Sequence, residues 1–217
     1  PIPVLDYNSL YPNSMICKNL SHESFVSDSK YDNLPGYRYH VIVYKNNDGT
    51  ETTCKFAEKI DGEKAIIPKI LMDLLSARKK YKRYMAETGD PFLKSIYDGL
   101  QLAYKITANS LYGQTGASTS PIYKKEIAAS TTATGREMLK FSKYFIEDIY
   151  SKIIDYVQKD RQEFIKYITE VLKDSPDSKF VSNKYQNREE FYDYVYNEIQ
   201  NILGEKESDP KVVYGDS

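Results

Sequence analysis

Cysteine, tryptophan and long apolar runs are scarce or absent in this sequence. It has two cysteines, Cys17 and Cys54, and no tryptophan among 217 residues. The cysteines lie far apart and form no CxxC pair, which argues against a disulfide framework and indicates a reducing compartment. Together with His22 and His40, the two cysteines match no standard zinc-site spacing. No apolar run approaches the ~20 residues that are needed to span a membrane. We therefore expect an intracellular protein without a membrane segment.

Charge of one sign is also missing, because 30 Lys and Arg residues nearly balance 31 Asp and Glu residues. The net charge of −1 gives no support to a nucleic-acid partner, so such a partner would have to bind a local patch of positive charge. Hydrophobic residues make up 41% of the chain, which is enough for an ordinary core in one large domain or two small ones.

The sequence pattern predicts a mixture of strands and helices. β-branched and aromatic runs flank an Asn-Asn-Asp-Gly turn, which is typical of a hairpin. Two long helical patterns meet at Gly-Asp-Pro, and helices with so tight a connection are expected to pack antiparallel. Residues 160–208 look helical but carry no chemical motif, and we interpret them as a surface insertion. The other expected elements are a strand at 2–5, a helix from Pro12, hairpin strands at 37–45 and 50–57, helices at 67–87, 92–111 and 126–159, and a strand at 211–214.

The first candidate for chemistry is the segment 6–12, which reads Asp-Tyr-Asn-Ser-Leu-Tyr-Pro. Asp6 follows a predicted strand and precedes a predicted helix. A carboxylate in this place can hold Mg²⁺ while the free N–H groups of Ser9 and Leu10 contact phosphate oxygens. Taken alone, the pattern favours the simpler interpretation that Asp6 is a helix N-cap.

The second candidate is a polar stripe on the predicted helix 92–111. Gln101, Lys105, Asn109 and Tyr112 follow one another at spacings of four, four and three residues, so they share one helix face. A polar stripe is usually a solvated face. This stripe differs because it combines a cation, carboxamides and an aromatic ring instead of mixed Glu and Lys.

A basic pair lies on the preceding helix. Arg78 and Lys82 are four residues apart and point the same way. If the two helices pair antiparallel, both side chains could converge with Lys105 on one polyphosphate. The alternatives, a solvated basic face or a general nucleic-acid patch, stay open from the spacing alone.

The third candidate is Tyr-Gly-Asp at 214–216, where a strand leads into a turn that presents Asp216. If this strand lies beside the strand that ends at Asp6, two carboxylates meet at one sheet edge. Like charges at that distance need a counter-ion, and a divalent metal is the natural one.

Together and in this order, these segments resemble family B DNA polymerases, and the residue usage is closest to those of large eukaryotic DNA viruses. Residues 6–12 are similar to motif A (DxxSLYP), 105–113 to motif B (KxxxNSxYG) and 214–216 to the start of motif C (YGDTDS). The segment 74–82 resembles the LLxxRxxxK pattern of the fingers, and 127–136 the palm helix after motif B. The similarity covers about residues 1–150 and 209–216.

Two positions depart from the family pattern. The family's motif C has a second aspartate two residues after the first, whereas here Ser217 follows Asp216 and the sequence ends, so either the sequence is truncated there or this copy lacks a catalytic carboxylate. Asn13 stands where serine is usual. We expect a sequence cut at both ends, and therefore an inactive isolated fragment of a larger polymerase.

The resemblance implies a role for each matching residue. Two Mg²⁺ ions are expected, with the substrates dNTP and a DNA primer–template. Tyr11 is expected to exclude a ribose 2′-hydroxyl. The implied residues are Asp6 and Asp216 for catalysis; Asp6, Tyr7 and Asp216 for the metals; Ser9, Leu10, Tyr11, Arg78, Lys82, Lys105 and Asn109 for the nucleotide; and Tyr112 and Gly113 for the template and primer.

The resemblance also implies an α+β fold: an antiparallel palm sheet with packed helices, an antiparallel two-helix fingers subdomain, and a truncated polymerase core. A processivity factor and a location in the host nucleus or a cytoplasmic replication site are further expectations.

The rival functions are a non-catalytic polymerase-like DNA-binding module, a reverse transcriptase and an RNA polymerase. The expected divisions are 1–57 (palm, motif A and hairpin), 58–117 (fingers), 118–159 (palm helix), 160–208 (helical insertion) and 209–217 (start of motif C).

Overall fold

A computed structural model describes residues 6–174 and 186–203 of the chain. The chain divides into two compact units, and the division falls after Glu137. The described part is an α+β structure in which helices dominate. Its elements are α1 (Leu10–Cys17), a 3₁₀ turn (Ser29–Tyr31), β1 (Tyr37–Lys45), β2 (Glu51–Lys59), α2 (Ile66–Glu87), α3 (Pro91–Gly116), α4 (Lys125–Tyr144), a π-helical segment (Phe145–Tyr150), α5 (Ser151–Lys159), α6 (Arg161–Val171) and α7 (Arg188–Leu203).

The predicted hairpin is confirmed, with β1 and β2 paired antiparallel. Its turn contains Gly49 at φ +83°, a backbone conformation that favours glycine. Side chains alternate between the two faces of the hairpin, and Ile42, Cys54 and Phe56 enter the core. The same alternation carries Glu58 inward to complete burial.

The two long helices α2 and α3 form the predicted antiparallel pair. Tyr81 of α2 stacks on Tyr104 of α3, with ring centroids 5.6 Å apart, and Tyr84 contacts Tyr97. The later residue of α2 therefore contacts the earlier residue of α3, so the two helices run in opposite directions. The connection between the two helices is short, and Asp90 in this connection caps α3. The Asp90 carboxylate accepts the N–H of Phe92 at 2.8 Å.

Helix α3 ends at Gly116, so the expected end of this helix at residue 111 is wrong. Thr115 in the additional turn is fully buried, and its hydroxyl donates to the Tyr112 carbonyl at 2.7 Å. Tertiary packing thus continues the helix through a glycine that sequence patterns read as a stop.

The core of the first unit joins α1, the hairpin, α2, α3 and the start of α4. Met15, Phe56, Leu71 and Ile127 from four of these elements are all 0% exposed. Asn19, in the left-handed region at φ 54°, links two of the elements: its amide donates to the Ala57 carbonyl and accepts the N–H of Ala65. These contacts fix the start of α2 relative to the segment that follows α1.

The second unit is a separate helical cluster in which α5, α6 and α7 pack around Val157, Phe164 and Tyr192. The single helix expected at 126–159 is interrupted by the π-helical segment. A helical sequence pattern does not distinguish i→i+4 from i→i+5 hydrogen bonds, so it could not predict this interruption. Helices α6 and α7 agree with the helical pattern of 160–208, whereas their status as an insertion stays a prediction. No described helix is long and apolar enough to cross a membrane.

Candidate functional site

The start of α1 has an unusual backbone. Ser9 is the N-cap residue at φ 54° and ψ 52°, and its side chain makes no capping bond to the helix. The interpretation of Asp6 as the N-cap is therefore wrong. Within the described ranges, no acceptor takes the N–H groups of Ser9 and Leu10. This helix end thus carries free donors and the positive end of the helix dipole, which together suit an anion.

The Arg78 guanidinium lies against this helix start. It donates to the Ser9 hydroxyl at 2.9 Å and to the Gln101 side-chain oxygen at 3.4 Å, and it is half-buried. Gln101 in turn donates to Asp98 at 2.9 Å. Arg78 consequently bridges α1, α2 and α3, and brings a permanent positive charge to the N-terminus of α1.

Three further candidates lie on the same two helices as Arg78 and Gln101. Lys82 lies one turn beyond Arg78 on α2, and Lys105 one turn beyond Gln101 on α3, so each shares a face with its neighbour. Both lysines and Asn109 are exposed, and none has a hydrogen bond or ion pair to another described residue. They are available for a ligand.

Two tyrosines from different elements form a pair beside this site. The rings of Tyr11 and Tyr112 have centroids 4.4 Å apart and an interplanar angle of 30°. Burial raises the pKa of Tyr112, and the nearby Tyr11 raises it further. Both rings are half-buried, so each keeps an edge toward solvent.

Gly113 follows this pair at the surface of α3. Apart from the neighbouring backbone of α3 itself, a Cβ added at Gly113 would meet no atom of the described residues within 4 Å. Packing inside the described chain therefore does not require glycine here.

The predicted metal site extends beyond the described residues. Asp6 is exposed and Tyr7 is half-buried, while Asp216 lies outside the described residues. In ranges 6–174 and 186–203, no group of three or more His, Cys, Asp or Glu side chains is placed to hold a metal. The donors on hand, a free carboxylate and a backbone carbonyl, are the hard oxygen ligands that Mg²⁺ prefers.

Sequence reasoning missed one contact and one residue at this site. Gln101 was placed on the polar stripe, but nothing in its spacing predicted that it would accept from Arg78. Gly135 of α4 is buried beside Leu10 and Tyr11, and an added Cβ would come within 3.4 Å of both side chains. A glycine inside a helical pattern was the available signal.

The α+β fold thus holds one guanidinium, that of Arg78, and one aromatic pair, Tyr11 and Tyr112, at the start of α1. A family model described as DNA polymerase family B matches residues 1–217, so the chain belongs to that family.

Individual relatives are DNA polymerases by name. The DNA polymerase of Pyramimonas orientalis virus is 42% identical, with 74% of this chain and 18% of the relative covered. The DNA polymerase delta catalytic subunit of Dictyostelium discoideum is 40% identical, with 70% of this chain and 13% of the relative covered. The solved family B DNA polymerase of Pyrobaculum calidifontis gives a TM-score of 0.49 at 27% identity, covering 64% of this chain and 17% of that chain. The chain therefore spans less than a fifth of the length of these proteins.

Proposed function

We propose that this chain forms part of the active site of a template-directed DNA polymerase, which transfers a nucleotide from a dNTP to a primer 3′-hydroxyl. One observation carries the proposal: the Arg78 guanidinium donates to Ser9 at 2.9 Å, beside N–H groups at the start of α1 that no described acceptor takes. Family membership supports the same reaction.

The subdomains follow the family pattern in this proposal. Residues 1–57 and 118–159 belong to the palm, and 58–117 form the fingers, whose two helices are α2 and α3. Residues 160–208 are an insertion, and 209–217 begin motif C. The antiparallel pairing of α2 and α3 supports the fingers assignment, because Arg78 of α2 contacts both Ser9 and Gln101 of the stripe on α3.

The triphosphate binds between the fingers and the start of α1. The N–H groups of Ser9 and Leu10 cradle its oxygens, and the cations and carboxamide on α2 and α3 neutralise its charge. Phosphoryl transfer depends mainly on positioning and charge neutralisation, so these groups supply most of what the reaction needs from the protein. The side chains concerned are Arg78, Lys82, Lys105 and Asn109.

The two tyrosines act on the other parts of the substrates. Tyr11 lies against the deoxyribose, where its ring leaves no room for the 2′-hydroxyl that distinguishes a ribonucleotide. Tyr112 and Gly113 lie beneath the nascent base pair. Among the described residues, no side chain lies within 4 Å of a Cβ built at Gly113, which is compatible with a close approach by DNA.

The carboxylates of Asp6 and Asp216 and the carbonyl of Tyr7 would hold two Mg²⁺ ions. When bound, such ions activate the attacking hydroxyl and stabilise the leaving pyrophosphate. Asp6 is suited to this role because its carboxylate is exposed and no hydrogen bond or ion pair joins it to another described residue.

The partners in this proposal are a DNA primer–template, a dNTP and a processivity factor. The site of action is inside a cell, in the host nucleus or at a cytoplasmic replication site if the source is viral.

Replacing Lys105 tests the proposal in the complete gene product that contains this chain. Lys105→Ala should lower kcat for dNTP incorporation by roughly 10- to 100-fold, the value of one charge-assisted contact, and should change the Kd for primer–template little. The matched control is Lys94→Ala, because Lys94 is also an exposed lysine on α3. Pre-steady-state incorporation and DNA-binding titrations give the two quantities.

Two results would contradict the proposal. Equal losses in kcat and in DNA affinity would indicate that Lys105 contacts only DNA. A wild-type protein that binds primer–template yet fails to extend it with dNTP and Mg²⁺ would indicate a non-catalytic DNA-binding module.

A further inference from the structure

A glycine occupies a buried position inside a helix next to the proposed sugar-contacting tyrosine. Gly135 lies in the interior of α4 and is buried. Glycine is unfavourable inside a helix, because it loses more conformational freedom on folding than any other residue. Its φ is not positive, so the backbone does not require glycine there. The reason must lie in its neighbours.

Two side chains from the start of α1 take the space that a side chain at 135 would need. A Cβ built at Gly135 would lie 3.4 Å from Leu10 Cδ2 and 3.4 Å from Tyr11 Cε1. A single methyl group would reach van der Waals contact with both. Any larger side chain would have to displace one of them, since packed interiors leave little spare volume.

The Tyr11 ring is also restrained by its partner on α3. Its centroid lies 4.4 Å from that of Tyr112, so a ring moved by a bulkier neighbour has little freedom on that side. Gly135 and Tyr112 together therefore determine where the Tyr11 ring lies. Tyr112 already has a proposed role at the nascent base pair, whereas Gly135 has none.

We propose that Gly135 is a positioning residue for sugar selection: the absence of a side chain at this place lets Tyr11 occupy the position from which it excludes a 2′-hydroxyl. This inference rests on the proposed function and assigns a specificity role to a residue that does not touch the substrate. A displaced ring no longer closes the space beside the sugar, so the preference for dNTP over rNTP falls.

The test is a size series at position 135 in the complete gene product. The variants are Gly135→Ala, Gly135→Ser and Gly135→Val, and the readout is the ratio of kcat/KM for dNTP to that for the matching rNTP. Gly116→Val is the matched control, because a Cβ at Gly116 would also contact one neighbour, Ala128 at 3.5 Å, but lies at the end of α3. Tyr11→Ala and the double variant Tyr11→Ala/Gly135→Val complete the set.

The ratio should stay near wild type for alanine, fall for serine, and fall by about tenfold for valine, since one extra methylene in a specificity pocket is worth about that much or more. Gly116→Val should leave the ratio unchanged. In the Tyr11→Ala background the valine should have no additional effect on the ratio, because residues that act through one group are not additive. If the valine variant does not fold, the serine variant decides the matter.

The outcomes separate this inference from the proposal beneath it. If Tyr11→Ala lowers the ratio but Gly135→Val and Gly135→Ser do not, Gly135 has no positioning role and the proposed function stands. If valine lowers the ratio equally with and without Tyr11, Gly135 acts by another route and the inference is wrong. If Tyr11→Ala itself leaves the ratio unchanged, the proposed role of Tyr11 is wrong, and this inference fails with it.

Discussion

Glu58 is a buried carboxylate whose removal should loosen the hairpin. Its side chain is 0% exposed and contacts three basic groups: Arg38 at 2.7 Å, His40 at 2.5 Å and Lys64 at 2.7 Å. Burial alone would raise the pKa of Glu58, but the hydrogen bonds from Arg38, Lys64 and His40 outweigh it and lower the pKa from 4.5 to about 2. Glu58→Gln keeps the shape of the side chain and removes its charge.

The size of the effect follows from this pKa. A tenfold change in an equilibrium constant is 1.36 kcal/mol, so lowering the pKa of Glu58 from 4.5 to about 2 corresponds to about 3 kcal/mol of stability. Removing one partner of a buried ion pair costs about 3–5 kcal/mol, which agrees. A loss of about 3 kcal/mol should lower the hydrogen-exchange protection of the β1 and β2 amides by roughly 100-fold, if they exchange through local opening of the hairpin.

Hydrogen exchange of the complete gene product, followed by mass spectrometry of the hairpin peptides, measures this loss. The matched control is Glu51→Gln on the same hairpin, because Glu51 is 59% exposed and its ion pair with Lys45 is 3.8 Å long. An exposed pair contributes about 0–1 kcal/mol, so this variant should behave nearly as wild type. Equal protection in the Glu58 and Glu51 variants would refute the reasoning.

The difference between wild type and Glu58→Gln should also depend on pH. Because the folded-state pKa of Glu58 is lowered, its stabilisation is fully present above pH 4.5 and is lost as the pH falls toward about 2. A difference that stays constant over this range would contradict the assignment.

Two other predictions concern α2 and α3. Arg78→Lys keeps the charge, but a lysine cannot donate to Ser9 and Gln101 as a planar fork, so KM for dNTP should rise about tenfold. The control Arg83→Lys, on the exposed face of α2, should leave KM unchanged. An unchanged KM for Arg78→Lys would count against the proposed role of Arg78. Asp90→Ala removes the cap of α3, which should cost about 1 kcal/mol of helix stability. Amide hydrogens in the first turn of α3 should therefore exchange with solvent about fivefold faster. Unaltered hydrogen exchange would show that the cap contributes nothing to stability.

Local sequence signals predicted most of the described elements. The hairpin follows from β-branched and aromatic runs around an Asn-Asn-Asp-Gly turn, and the pairing of α2 and α3 from two helical patterns that meet at Gly-Asp-Pro. The period of two also places Glu58 on the same face as Cys54 and Phe56, so its burial could have been read from the sequence.

Features that depend on tertiary contacts could not be predicted in the same way. The left-handed backbone of Ser9, the bond from Arg78 to Gln101 and the packing of Gly135 on Tyr11 each join residues from different elements. The last turn of α3 is another example, because the burial of Thr115 overrides the glycine before it. The resemblance named Ser9, Tyr11 and Arg78 as candidates, but their mutual geometry required the structure.

Replacing Asp6 tests the central claim most directly, namely that this chain supplies a metal-binding carboxylate for nucleotidyl transfer. Single-turnover incorporation of a dNTP by the complete gene product with Mg²⁺ should fall on the order of a thousandfold in Asp6→Asn, because a metal ion in such a reaction contributes several kcal/mol to the transition state. The control Asp155→Asn, at an exposed aspartate on α5, should retain the wild-type rate, with primer–template binding preserved in both variants. Incorporation by Asp6→Asn at the wild-type rate would contradict the account.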